Sequence, residues 1–152
     1  MSWTYGARFE TDESGDHFAT VRDLPEVQTS ADTLDEALAA AADAIKVSVS
    51  ARIDHEEELA PPTAIATAEI AIALPLRLAA KATVYLLWRK AKISKSELGR
   101  RMGRTETEAR RVLDPYHDTD LDRIEAAAEA LGAKLTIDIE PKSPRERIAA
   151  AE

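Results

Sequence analysis

The sequence predicts an α+β unit over residues 1–74, ordered β-β-β-α-β, then an all-helical unit with a terminal strand over 75–140 and a tail over 141–152. The first ground is a change of hydrophobic period from two to 3.6 near Leu34. The second is Pro75, which closes an alternating run and suits the first turn of a helix. The third is charge. Met1 to Leu74 holds 4 Lys and Arg against 15 Asp and Glu, net −11, whereas Pro75 to Glu152 holds 16 against 13, net +3.

The elements follow in order. Trp3 to Phe9 and His17 to Arg22 carry β-favouring residues, and Thr11-Asp-Glu-Ser-Gly-Asp between them is a polar, glycine-bearing turn. Asp23-Leu-Pro-Glu forces an irregular step before a short strand at Val27–Ser30. Leu34, Leu38, Ala41, Ile45, Val49 and Ile53 then form one stripe of an amphipathic helix, opened by Thr33 and Glu36 as a capping box. Glu69-Ile-Ala-Ile-Ala-Leu alternates with period two and returns as a strand. Beyond Pro75, Leu76 to Ala91 is helix-forming, with Leu78, Val84, Tyr85 and Trp88 facing a core. Ser94-Lys-Ser-Glu97 opens a short helix with Leu98 and Met102 inward, Gly103 breaks it, and Thr105-Glu-Thr-Glu108 opens another. A helix over Thr119–Leu131 places Leu121, Ile124, Ala128 and Leu131 at core spacing and stops at Gly132. Lys134 to Glu140 reads as a strand whose Leu135, Ile137 and Ile139 make one face apolar.

Composition narrows the class. The 152 residues are 45% apolar and 32% charged, which is globular rather than disordered. No cysteine is present, so disulfides and thiolate metal sites are excluded. Met1-Ser-Trp-Thr-Tyr lacks the basic start and apolar core of a secretory signal, and Glu69, Pro75, Arg77 and Lys81 interrupt the most apolar stretch. A cytoplasmic protein without a membrane partner is expected.

From Arg77 to Arg111 there are 11 basic residues against 3 acidic, net +8. Two capped short helices joined at a glycine within this block form the pattern of a helix-turn-helix, and the two features together predict binding to double-stranded DNA. Lys95, Arg100, Arg101 and Arg104 are expected near backbone phosphates, as is His117 in the following loop, and Thr105 and Arg110 are further DNA-binding candidates. If Ala109, Val112 and Leu113 face inward, Thr107 and Arg111 stand nearly opposite. Arg111 is the leading candidate for a base contact, because a guanidinium binds guanine O6 and N7 in a bidentate manner; an i,i+3 pair with Glu108 is the competing reading.

Tyr5, Asp23-Leu-Pro, Thr29, Asp32-Thr33, Glu36-Ala-Leu and Ile72-Ala-Leu-Pro resemble the N-terminal domain of HicB-type antitoxins. The Met102-Gly break, the Arg110-Arg111 step with Val-Leu, the loop holding His117 and the Ile124-bearing helix resemble the phage-repressor-type helix-turn-helix at the C terminus of many such antitoxins. The resemblance covers nearly the whole chain. It departs at Glu26, where many members carry glycine, so the turn there is expected to differ. It implies a partial RNase H-like fold without the nuclease site, neutralisation of a small basic RNase toxin of the HicA type, repression of its own operon, and a homodimer or higher assembly. Asp12, Glu13, Asp16, Asp23 and Glu26 become candidate toxin contacts, their carboxylates complementing a basic surface.

Two other readings compete. A stand-alone repressor with an acidic sensor or partner-binding domain would have no small basic protein encoded beside it. An RNase H-like metal-dependent nuclease would need converging carboxylates. The acidic groups at Asp12, Glu13, Asp16 and at Glu56, Glu57, Glu58 sit instead in a turn and in a contiguous run, while His17, His55 and His117 are scattered. No catalytic residue, metal or cofactor is expected.

Overall fold

A computed structural model describes residues 2–141 of the chain; the segment 142–152, which holds nearly all of the expected tail, lies outside the described residues. The order is β1 (Thr4–Thr11), β2 (His17–Val21), β3 (Gln28–Ala31), α1 (Leu34–Asp54), β4 (Ile70–Ala73), α2 (Leu76–Ala91), α3 (Lys95–Arg101), α4 (Glu106–Leu113) and α5 (Leu121–Ala130). The fold is α+β, an antiparallel four-stranded sheet ordered β3-β2-β1-β4 and followed by helices.

The hairpin turns where Gly15 adopts φ +91 and the Asp12 carboxylate accepts from the backbone N–H groups of Ser14 and Asp16, both at 2.9 Å. Pairing of Ala7 with Val21, Phe9 with Ala19 and Tyr5 with Ile72 brings these side chains to one face. That face packs with Ala41, Ile45, Val49 and Ile53 of α1. Burying each branched residue of this stripe contributes about 1.5–3 kcal/mol, so the period of α1 fixes which side of the sheet is covered. Thr33 accepts from the Glu36 N–H and starts the helix.

α1 ends in a Schellman arrangement: the Glu57 N–H reaches the Arg52 carbonyl at 2.8 Å and the Glu56 N–H the Ile53 carbonyl at 3.1 Å. Its left-handed position, φ 53, is held by Glu56, where glycine would be easier by roughly 1 kcal/mol. The loop to β4 is tied to the β2–β3 turn, since Asp23 accepts from the Thr63 backbone N–H and hydroxyl, both at 2.8 Å.

Pro75 caps α2, and the buried core runs on across it from Trp3 to Ala128. The Trp3 indole donates to Thr83 at 2.7 Å, and the Tyr85 hydroxyl donates to the Glu57 carbonyl at 2.5 Å. α2 thus packs on α1 with one side and on α4 and α5 with the other.

Several expectations need correction. Residues 134–140 form no strand among the described residues; a strand requires a ladder partner, and β3 and β4 end the sheet. Leu135 is half-buried against the core, whereas Ile137 and Ile139 are 53% and 88% exposed. Leu34, Ile70 and Leu121, expected inward, lie at element starts and are about two-fifths exposed, 41%, 41% and 40%. The last helix begins at Leu121 rather than Thr119, because the Thr119 hydroxyl is buried and bonded to the Arg111 carbonyl. At Glu26 the backbone keeps a negative φ, so the turn does not require the glycine.

Candidate functional site

α3 and α4 meet through two glycines. Gly103, at φ +66, turns the chain, and Gly99 is buried so tightly that a Cβ there would lie 2.8 Å from the Thr105 carbonyl oxygen. Thr105 and Glu108 complete a reciprocal capping box at the start of α4. Its backbone bond to Thr105, then bonds from Arg123 and Arg104, hold the Glu108 carboxyl down at about 2. Ala109, Val112 and Leu113 are buried and Thr107, Arg110 and Arg111 exposed, so the inward face and the outward face are those the spacing predicted.

The basic block is far less free than its net charge suggests. Glu97 accepts from Arg100 at 2.7 Å and Arg101 at 2.9 Å, Glu108 pairs with Arg104 at 3.2 Å, and Glu106 pairs with Arg110 at 2.6 Å. Lys95 pairs with Glu56, 2.6 Å distant, with its ammonium 5.6 Å from the centre of the Trp88 ring. Glu108 is taken by Arg104 and Arg123, and among the described residues Arg111 has no carboxylate partner. An unpaired guanidinium on an exposed helix face can engage a base edge or phosphate without first giving up an ion pair.

Sequence reasoning missed Lys81. The residue is 1% exposed, and its ammonium donates to three carbonyls, those of Arg111 at 3.0 Å, Asp114 at 2.6 Å and His117 at 2.7 Å. Burial lowers its pKa from 10.5 to about 8. The residue was legible only as one more charge in an apolar stretch, yet it closes the carboxyl end of α4 from below. His117 is half-buried in the same loop, its Nδ1 2.9 Å from the Thr119 hydroxyl. That hydroxyl spends its one proton on the Arg111 carbonyl, so Nδ1 donates and Nε2 is the acceptor of the neutral ring.

The acidic candidates divide. Glu26 accepts from Arg52 Nε at 2.8 Å and Nη2 at 2.9 Å and from the Ser48 hydroxyl at 2.5 Å, with Arg52 chiefly responsible for lowering its carboxyl to about 2. Asp23 holds Thr63. Both are internal ties. Asp12, Glu13 and Asp16 lie at the hairpin tip, and the pairing of His17 with both Thr11 and Ala31 puts that tip beside Asp32, Asp35 and Glu36 at the start of α1. No Lys or Arg occurs in 9–21 or 28–45, so this end is uniformly negative. Strand register, invisible in the sequence, is what adds the second trio. Among the described residues no group of three or more His, Asp or Glu is placed to hold a metal ion, and no helix is long and apolar enough to cross a membrane.

The geometry is that of an acidic α+β unit followed by a capped helical unit, with Arg111 on the outer face of α4 lacking a carboxylate partner among the described residues. Residues 4–83 match the family described as HicB-like antitoxin of bacterial toxin-antitoxin systems. Antitoxin HicB 1 of Photorhabdus laumondii is 31% identical over 136 residues, covering 90% of this chain and 86% of that protein. Antitoxin HicB 2 of the same organism is 32% identical over 133 residues, 88% of this chain and 94% of that protein. Antitoxin HicB of Escherichia coli is 29% identical over 123 residues, with 81% and 89% covered. The chain belongs to the HicB-like antitoxin family.

Proposed function

We propose that the chain neutralises a small basic mRNA-cleaving toxin of the HicA type through its N-terminal unit and represses its own operon through α3 and α4. In this reading β1 to β4 with α1 form a partial RNase H-like unit and α3 and α4 a helix-turn-helix whose second helix enters the major groove. The observation that carries it is the outer face of α4, where Thr107 and an unpaired Arg111 stand exposed over a buried Ala109-Val112-Leu113 face. Family membership supports the toxin half. The negative end formed by the hairpin tip and the start of α1 suits a basic partner, accelerating encounter more than setting final affinity.

Operator recognition of this kind uses two half-sites one or more helical turns apart, so a homodimer is the working form. Residues 134–140, extended in sequence pattern and without a ladder partner here, are the proposed dimer element; pairing with the same segment of a second copy would satisfy their backbone groups and cover Ile137 and Ile139. The protein acts in the cytoplasm, where its toxin and operator would be.

The test is co-purification with the product of the adjacent reading frame, a cleavage assay, and footprinting of the upstream DNA. A stable complex, loss of RNA cleavage and protection of an inverted repeat are expected. Absence of a complex with any neighbouring product overturns the antitoxin role and leaves a stand-alone repressor. Protection of a single half-site by a monomer overturns the dimer.

A further inference from the structure

Among the described residues two that are not glycine hold a left-handed backbone, Glu56 and Lys92, both at φ 53. A side chain kept where glycine is favoured invites the question of what it reaches. Glu56 closes α1, and its carboxylate crosses to the helical unit to meet Lys95 at 2.6 Å. The loop that carries it is fixed on both sides, by the Schellman bonds of Glu56 and Glu57 and by the Tyr85 hydroxyl on the Glu57 carbonyl. Lys95 is fixed in turn over Trp88.

This ion pair stands at a groove of about 340 Å³ lined by Glu56, Trp88, Ser94, Lys95, Ser96 and Arg110 together with Glu106. Ser94 caps α3 and Arg110 lies on the outer side of α4, so the groove adjoins the surface read here as facing DNA. A duplex seated on α4 brings its backbone to this groove, and its phosphate and the Glu56 carboxylate then compete for one ammonium.

We infer that Glu56 is a built-in competitor of the DNA backbone: it neutralises Lys95 in the free protein and must release it when DNA binds, so that the end of α1 holds down the DNA affinity of the helical unit. The inference rests on the DNA-binding reading above and adds its regulation. Its consequence is a coupling between the two units. Whatever displaces residues 55–59 from Tyr85 frees Lys95 and tightens DNA binding, and DNA loosens that loop in return.

The ionic-strength dependence of binding isolates this exchange. A lysine already neutralised by a carboxylate releases no net counterion when it meets phosphate, whereas a free one adds about 0.9 to the slope of log K against log salt. Four full-length proteins are titrated with a random-sequence duplex over a range of salt: wild type, Glu56→Gln, Glu58→Gln and Glu56→Gln with Lys95→Gln. Glu56→Gln is expected to bind about two- to fivefold tighter near physiological salt, the range carried by a half-exposed ion pair, with a slope steeper by about one. Glu58→Gln removes the same charge two residues away and is expected to change neither quantity, and the double variant is expected to lose the gain. Glu56→Gly, which also relieves the left-handed backbone, is expected to match Glu56→Gln in binding while melting no lower than wild type. Equal behaviour of Glu56→Gln and Glu58→Gln, or a gain that survives loss of Lys95, overturns the inference while leaving DNA binding intact. Failure of every protein to bind DNA even at low salt overturns the DNA-binding reading and this inference with it.

Discussion

Arg111 and Glu26 are both charged, yet their surroundings give them opposite uses. Arg111 projects from α4 and has no carboxylate partner among the described residues, which leaves its guanidinium facing out of the fold. Arg111→Ala is expected to weaken operator binding by about 1–3 kcal/mol and relax base preference at one position in each half-site, while leaving affinity for random DNA nearly unchanged. Competition binding with single-base operator variants checks this; an equal loss on every sequence transfers base readout to Thr107 or Arg110. Glu26 is consumed by Arg52 and Ser48. Its carboxyl titrates at about 2 in the folded chain against an ordinary 4.5, so its stabilisation is fully present above pH 4.5 and is lost as pH falls from 4.5 toward 2. Because the side chain is 45% exposed, solvent screening leaves about 1 kcal/mol of this effect. Urea unfolding should show wild type losing about that much more stability than Glu26→Gln between pH 6 and pH 3; parallel losses would mean the pair adds nothing. Residue type and spacing make the exposed face carrying Arg111 legible, whereas the tie of Glu26 to Arg52, a residue 26 positions away, leaves no local pattern in the sequence.

Elements were legible where their causes are local. The Thr33, Ser94 and Thr105 caps start α1, α3 and α4 where the sequence places them, and Gly132 at φ +80 follows α5. These signals lie within four residues of the structure they set. The strand expected at 134–140 failed for the opposite reason, since alternation shows what a segment can pair with but not that a partner is present. Lys81 is the other gap. A lysine inside a helix reads as solvated, but the carbonyls at the end of α4 and in the next loop converge on its ammonium only after α2 and α4 have packed. Lys81→Met keeps the length of the side chain and takes the ammonium from three inward carbonyls, which are left with their backbone N–H donors and, at Arg111, the Thr119 hydroxyl. It is expected to cost about 2–4 kcal/mol and to raise hydrogen exchange in 111–119 more than in the sheet. A melting temperature within a degree or two of wild type would show that water replaces the ammonium and that the lysine does not hold α4.

At the scale of the whole molecule, α1 is roughly 30 Å long and separates a negative end at Asp12, Glu13, Asp16 and its own first turn from the Lys95 groove at its last turn. The two proposed functions are physically compatible on one small chain because opposite fields are held apart by several Debye lengths. Whether they can be cut apart depends on α2. A boundary at Pro75 follows charge and chain direction, but Trp3, Leu59 and Leu74 share the buried cluster with Leu78, Val84, Tyr85 and Trp88. The family match also continues past Pro75 to residue 83. A fragment of residues 1–74 would expose the Trp3 side of its core and lose the Tyr85 bond to Glu57, whereas one of residues 1–91 keeps both. The longer fragment is therefore expected to melt cooperatively and well above the shorter one, to keep the cognate toxin inactive in a cleavage assay, and to leave operator DNA unshifted because α3 and α4 are missing. Calorimetry of the two fragments beside the full chain, with both binding assays on each, decides the matter. Equal melting of 1–74 and 1–91 would mean that α2 serves only the helical unit, and a folded 1–91 fragment that leaves the toxin fully active would remove the acidic unit from neutralisation.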